Sequence, residues 1–344
     1  MVELTTTGRQ AHEVLAWSRD QAGPALRAAV ESLRPSMRHV AGYHFGWLDR
    51  HGAPAVGGGG KAVRPALALL SAEAVGAGAG AAVPAAVAVE LVHNFSLLHD
   101  DVMDGDLTRR HRATAWSVFG MSPAILAGDA LLTLAFDALA ASGHPAAAEG
   151  GRLLGATVLD LIDGQGADTS FETRGDVGLQ ECLSMAESKT GALLGASCAL
   201  GALFGGAAPE RVKRLRAFGD RLGLAFQFVD DLLGIWGDPA VTGKPIHSDL
   251  RNRKKSLPVV AALSSGSPAG DELAALYGRE EPPAGPDLVR AAELVELAGG
   301  RAWSTQQAGE LLREALGHLA AASPVPGAAA ELRALAHLIT HRDH

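Results

Sequence analysis

Residues 97–112 read LLHDDVMDGDLTRRHR and close a long apolar run that begins near residue 81. After Pro84 that run holds no further proline, so residues 81–104 predict one long buried helix. In a helix, Asp100, Asp101 and Asp104 stand at i, i+1 and i+4, which turns the three carboxylates toward one side. Acids grouped at the end of an apolar helix repel one another and resist desolvation, so something cationic must balance them. Oxygen-only ligands on a helix suit Mg²⁺, which takes a few carboxylates and completes its shell with water and phosphate oxygens. Arg109 and Arg110 follow, with the planar geometry that grips phosphate. Taken alone, the same residues also describe an acidic helix end and a solvated loop.

A second acidic pair removes much of that ambiguity. Residues 222–238 read LGLAFQFVDDLLGIWGD, and Asp230 and Asp231 sit among Phe226, Phe228, Val229, Leu232 and Leu233. Two carboxylate groups in separate apolar helices, 130 residues apart, are far less expected by chance than one. Facing each other across a cavity, they would hold several Mg²⁺ ions around one diphosphate.

Around these segments the chain reads as helix. Residues 121–142, 145–164, 178–204 and 208–236 are further long apolar patterns, and the tail breaks near Ser264–Pro268 and Glu281–Pro286. His51–Gly60 and the Gly/Pro/charge-rich Gly237–Lys255 read as loops. With 47% hydrophobic and 5% aromatic residues, rich in Ala and Leu, the 344 residues predict an all-α, single-domain bundle. Its parts are N-terminal helices and a loop (1–57), a motif-bearing core (58–260) and C-terminal helices (261–344). A net charge of −8 without a basic stripe argues against nucleic acid as a partner. Cys182 and Cys198 show no metal or disulfide spacing and read as small apolar residues. The start lacks the layout of a signal peptide, and no stretch reaches the roughly 18 uninterrupted apolar residues of a membrane span. The expectation is a cytoplasmic protein.

Basic residues complete the pattern. Lys61 and Arg64 follow a glycine run, Lys189 lies in an apolar stretch, and Lys244 and Arg251–Lys255 follow the second acidic pair. Singly, most such lysines are solvated or snorkelling. Two separate basic sets suggest two diphosphates, one held through metals and one by Lys and Arg alone.

Read together, these residues closely resemble the trans-polyprenyl (isoprenyl) diphosphate synthase family. The matching motifs run in order from Gly59 to Pro258: GGKAVRP, ELVHNFSLLHDDVMD with its RR, GDALL, GQ at Gly164–Gln165, KT at Lys189–Thr190, FQFVDD, GKP and KKSLP. The resemblance implies an isoprenoid-synthase bundle with a central cavity, and a homodimer. It implies that isopentenyl diphosphate is joined head to tail to an allylic diphosphate. Asp100, Asp104 and Asp230 are then ligands of three Mg²⁺ ions, with Asp101 and Asp231 beside them. Arg109, Lys189, Lys244 and Lys254 match positions contacting the allylic diphosphate. Lys61, Arg64, His93 and Arg110 match the pocket for isopentenyl diphosphate. Gln227 and the backbone near Lys189–Thr190 match groups facing the cationic carbon chain.

The chain departs from the family pattern in three places: Gly234 ends the second acidic motif where an aspartate is usual, Ala62 replaces an arginine, and His111 replaces a glycine. Asp238 stands in for the missing acid only if its helix ends before it. Phe95 and Ser96 lie five and four residues before Asp100. With no insertion in DDVMD, an aromatic at that first position resembles geranylgeranyl synthases, with a farnesyl product as runner-up and simple core packing as the plainer role of Phe95. A class I terpene cyclase would need an N-x3-S-x3-E motif, and Asn252–Ser256 ends at Val260 instead. A non-catalytic partner subunit would not be expected to keep five aspartates.

Overall fold

Ala and Leu fill the stretches between glycine and proline breaks, and helix follows helix along the chain. The computed structural model describes residues 8–55, 60–239 and 245–341. Among them, paired strand is confined to Thr108–Arg109 against Arg112–Ala113 and an isolated bridge between Leu48 and Pro54. The all-α expectation therefore holds. Backbone contacts divide the chain into two compact units. One gathers Met1–Val158, Leu193–Gly219 and His318–Leu335; the other gathers Leu159–Ala192, Asp220–Gly317 and Ala336–His344.

The first unit begins with α1 (Ala11–Glu31), α2 (Pro35–His44), α3 (Val63–Ala74), α4 (Val83–Met103), α5 (Ala115–Phe119) and α6 (Met121–Ala140). The N-terminal residues are tied into it: Arg9 pairs with Glu331 at 2.6 Å and Glu73 at 2.9 Å, and lies 3.7 Å over the Trp17 ring. Pro84 suits the first turn of α4, where no intrahelical donor is lost. Leu67, Leu69 and Leu70 of α3 and Leu91 and Leu98 of α4 are fully buried. Each such leucine contributes roughly 1.5–3 kcal/mol by leaving water. Helix α6 buries Ala124, Ala127, Leu131, Ala135 and Leu139, spaced by three and four, and leaves Met121, Ile125 and Leu126 exposed. Ala79–Met103 and Met121–Ala140 are long and apolar enough to cross a bilayer by composition, but 67% of the first one's most apolar window is buried within the protein.

Next come α7 (Ala147–Phe171), α8 (Leu179–Ala186), α9 (Ala192–Phe204) and α10 (Pro209–Trp236). The helix expected over 178–204 is interrupted, because Glu187–Gly191 forms a π turn between α8 and α9. A Cβ built on Gly164 of α7 would lie 2.5 Å from the Lys189 nitrogen, so the turn approaches α7 where only glycine leaves room. Shorter helices follow: α11 (Ser248–Arg251), α12 (Leu257–Leu263), α13 (Pro268–Tyr277), α14 (Pro286–Leu297), α15 (Gly300–Ala321) and α16 (Pro326–Thr340). The expected breaks near 264–268 and 281–286 fall between them. In the second unit Phe228 is fully buried with Cys182, Met185, Leu224 and Leu311, its ring edge-on to Trp303 at 5.3 Å. Truncating such an aromatic costs about 3–5 kcal/mol, which is what anchors the acidic end of α10. Cys198, like Cys182, is a buried helical thiol.

Candidate active site

In the first unit α4 ends at Met103, and the Asp104 N–H closes the last turn on the Asp100 carbonyl at 2.8 Å. Acids at a helix C-terminus oppose the helix dipole, which adds to the demand for a cation. Asp101 is 1% exposed; its Oδ1 accepts from Arg109 Nε at 2.6 Å, while its Oδ2 is buried with no hydrogen-bond partner. Burial raises the Asp101 carboxyl above its ordinary range although Arg109 opposes the shift. The loop after Asp104 is pinned where Thr114 Oγ1 and Trp116 Nε1 both donate to the Asp106 carbonyl at 2.8 Å.

Arg109 and Arg110 stand on the hairpin. Arg110 and His111 are its turn residues, at φ 52° and 61°, the left-handed pair of a tight type I′ turn. Glycine adopts that conformation without strain, so a side chain at position 111 is the costlier choice. Behind the turn lies a buried network that joins Arg64, His93 and Arg110 to Glu90 and Asn94, two residues of ELVHNFSLLHDDVMD to which the motif reading assigns no role. Glu90 and Asn94 are 7% and 2% exposed, and Asn94 Nδ2 donates to the Glu90 carbonyl at 2.8 Å and to Glu90 Oε1 at 3.2 Å. Burial raises the Glu90 carboxyl, with Arg64 and Arg110 opposing. Burial lowers Arg64 to about 10, with Glu90 opposing the shift and Arg110 adding to it. His93 is held well below the ordinary histidine range by burial and by Arg64, Arg110 and Arg109. Lys61 is exposed beside α3. Phe95 is buried, edge-on to the His99 ring at 4.8 Å, and Ser96 Oγ donates to the His93 carbonyl at 2.9 Å.

The second unit gathers Lys189, Thr190, Gln227, Asp230, Asp231 and Lys254. Thr190 Oγ1 donates to Gln227 Oε1 at 2.6 Å, and Gln227 Nε2 donates to Asp231 Oδ1 at 2.7 Å. Asp231 Oδ2 accepts from the Leu257 N–H at 2.9 Å, at the start of α12. Both oxygens of Asp231 are thus engaged by protein, whereas Asp230 is on the exposed side of α10. Burial lifts the Asp231 carboxyl to about 6. Lys254 is held well above its ordinary range: Asp249, Asp231, Asp168 and Asp230 outweigh the burial that would lower it. Lys189 Nζ pairs with Asp168 Oδ2 at 2.5 Å. Lys244 lies outside the described residues.

The position of the missing acid is also accounted for. Helix α10 does end before Asp238, but a Cβ on Gly234 would overlap the Asp249 carboxylate, which is buried there. Asp249 and Asp168 carry no motif spacing of their own, and Glu90 and Asn94 lie inside ELVHNFSLLHDDVMD without a role read from it. Their signal in the sequence is a polar residue inside an apolar stretch.

Among the described residues no three His, Cys, Asp or Glu side chains converge closely enough to chelate an ion by themselves. Mg²⁺ does not require that, because it keeps several waters and uses one or two carboxylates plus phosphate oxygens. The all-oxygen donor set and the unpartnered Asp101 Oδ2 fit such an ion. Arg64 Nε and both atoms of the Gln165 amide are likewise buried without a hydrogen-bond partner. Motif residues thus present donors and acceptors that the fold leaves unsatisfied.

All-α architecture with acids set beside buried bases along this motif series defines a prenyltransferase. The chain belongs to the polyprenyl synthetase family, whose profile matches residues 46–294. Two Mycobacterium tuberculosis proteins are each 47% identical to it: a (2E,6E)-farnesyl diphosphate synthase over 97% of this chain and 94% of its own length, and a geranylgeranyl diphosphate synthase over 95% and 92%. A polyprenyl synthetase from Streptomyces coelicolor superposes with a TM-score of 0.91 at 49% identity, covering 95% of this chain and 98% of that one. A geranylgeranyl pyrophosphate synthase from Corynebacterium glutamicum, complexed with isoprenyl diphosphate and magnesium, gives 0.81 at 27% identity, over 97% and 100%. The family is magnesium-dependent and uses isopentenyl and allylic diphosphates. Short-chain trans-prenyl diphosphate synthesis is the activity these likenesses support.

Proposed function

We propose that the chain elongates an allylic diphosphate with isopentenyl diphosphate, head to tail, and stops at the twenty-carbon geranylgeranyl product. The observation that carries the reading is the company each acidic segment keeps: Arg109 on Asp101 in one unit, Lys254 among Asp230, Asp231 and Asp249 in the other. Asp100, Asp104 and Asp230 are assigned to hold magnesium, three ions in all, and bound magnesium would offset the charge that develops as the allylic diphosphate departs. Asp231 serves as an anchor, since its oxygens hold Gln227 and α12. Lys189, Lys254, Lys244 and Arg109 neutralise the allylic diphosphate. Lys61, Arg64, His93 and Arg110 receive isopentenyl diphosphate, and a neutral His93 adds a hydrogen-bonding group there without adding charge. Gln227 and Thr190, locked together, line the path of the cationic chain. Holding the two substrates together replaces a bimolecular encounter with an oriented one, and no protein nucleophile is needed.

Chain length is assigned to Phe95, with Ser96 beside it. A farnesyl product is the second reading, supported by the 47% identical farnesyl relative. Purified protein, Mg²⁺, labelled isopentenyl diphosphate and, separately, dimethylallyl, geranyl or farnesyl diphosphate test both, with products dephosphorylated and sized. A twenty-carbon alcohol supports the proposal; a fifteen-carbon alcohol moves the chain to the farnesyl reading. A cyclic hydrocarbon formed without isopentenyl diphosphate would overturn the reaction assignment.

The cytoplasmic homodimer belongs to the same family reading. The support for the dimer in this chain is the exposed apolar side of α6, Met121, Ile125 and Leu126. Light scattering on the wild type and on Leu126→Glu checks it: a dimer converted to monomer is expected, and a wild-type monomer would end it.

A further inference from the structure

Asn94 Nδ2 donates to two oxygens of Glu90, so its Oδ1 must be the acceptor in the contact with His44 Nε2 at 3.1 Å. His44 therefore carries its proton on Nε2. It stays neutral, because burial and the nearby Arg110, Arg109 and Arg112 push its pKa down to about 3. Asn94 gives the Glu90 carboxylate a hydrogen bond, and Glu90 is the carboxylate that acts on both Arg64 and Arg110. Arg64 Nε is buried without a partner, so its own hydrogen bond does not fix that edge of the guanidinium. Two guanidinium groups against one carboxylate leave an excess of positive charge, as a diphosphate requires.

We propose that His44, which lines one cavity with Arg110, is a positioning residue for the isopentenyl diphosphate pocket: by donating to Asn94 Oδ1 it holds the amide on Glu90, the carboxylate whose charge balances Arg64 and Arg110. The inference rests on the reading of those arginines as diphosphate ligands. Without the donor, Asn94 Oδ1 loses its partner, and the amide is held by its bonds to Glu90 alone. The 3.2 Å bond to Glu90 Oε1 is the longer of the two, and an amide released on its far side lets the carboxylate shift. The groups that act most on Asp101 at the acidic end of α4 are Arg109, Asp106 and Asp104, not Glu90, so the allylic substrate is expected to be little affected.

Steady-state kinetics on His44→Leu, His44→Gln and Arg110→Ala test the relay. His44→Leu is expected to raise KM for isopentenyl diphosphate about tenfold, the worth of one hydrogen bond, with KM for the allylic substrate unchanged. His44→Gln keeps a side-chain N–H and is expected to restore most of the loss. If Arg110→Ala leaves KM for isopentenyl diphosphate unchanged, the parent reading of the pocket fails. If Arg110→Ala raises it and His44→Leu does not, the relay alone fails. Should His44→Leu not fold, nitrogen-15 NMR of wild-type histidines still decides: the Nδ1-protonated tautomer at His44 would overturn the proposal.

Discussion

The Asp249 carboxylate fills the space that a side chain at Gly234 would need. Ser248 Oγ holds the approach by donating to the Gly234 carbonyl at 3.3 Å. Restoring the family's usual acid with Gly234→Asp is therefore expected to harm the protein, through overlap and a second negative charge. A loss of about 1–3 kcal/mol in urea unfolding is expected, with reduced activity, and adding Asp249→Gly should recover much of both. A Gly234→Asp protein as stable as the parent would show that Asp249 moves aside at no cost.

Asp100→Ala and Asp230→Ala should each lower turnover by at least about 10²–10³-fold. Neither residue is fully buried, so circular dichroism should show helical content unchanged. EDTA should silence the wild type and added Mg²⁺ restore it. Retained activity in both variants would remove these carboxylates from the metal site.

His111 occupies a left-handed backbone position that costs a side-chain-bearing residue about 1–2 kcal/mol. His111→Gly should stabilise the protein by about 1 kcal/mol in denaturant unfolding, since glycine avoids that clash at some cost in entropy. A destabilised variant would mean that the imidazole makes up the difference through its own contacts.

His44 resists protonation in the fold, whereas in the unfolded chain it titrates near 6.5. Its contribution is present above 6.5 and is lost as pH falls below that toward about 3. Between pH 7 and 5 this amounts to about 2 kcal/mol from His44. His93 acts in the same direction, while the raised carboxyls Glu90 and Asp231 act in the opposite one. The comparison is therefore wild type against His44→Leu, and the variant should lose less stability across that range.

Phe95→Ala should lengthen the product beyond the wild-type chain, read by sizing the prenyl alcohols. Unchanged length would leave Phe95 as packing against His99.

Helices were legible because their cause is local. Ala, Leu and the placement of Pro and Gly set where α4, α6 and α10 begin and end, and the periodicity of apolar residues tells which side is buried. The acidic segments were legible for a related reason: a carboxylate inside an apolar stretch is costly enough to stand out. What each carboxylate oxygen does was not. Asp231 spends one oxygen on Gln227, four residues away, and the other on Leu257, twenty-six away.

By itself, then, the sequence determined an all-α prenyltransferase and the residue types its chemistry needs. Tertiary structure alone decided that Asp249 stands at Gly234, that a π turn carries Lys189, and that His44 reaches Glu90 through an asparagine fifty residues along the chain. Periodicity reports a side chain's direction about its own helix axis. It carries no information on which group a different element brings opposite it, and hydrogen bonds and ion pairs are made with that opposite group.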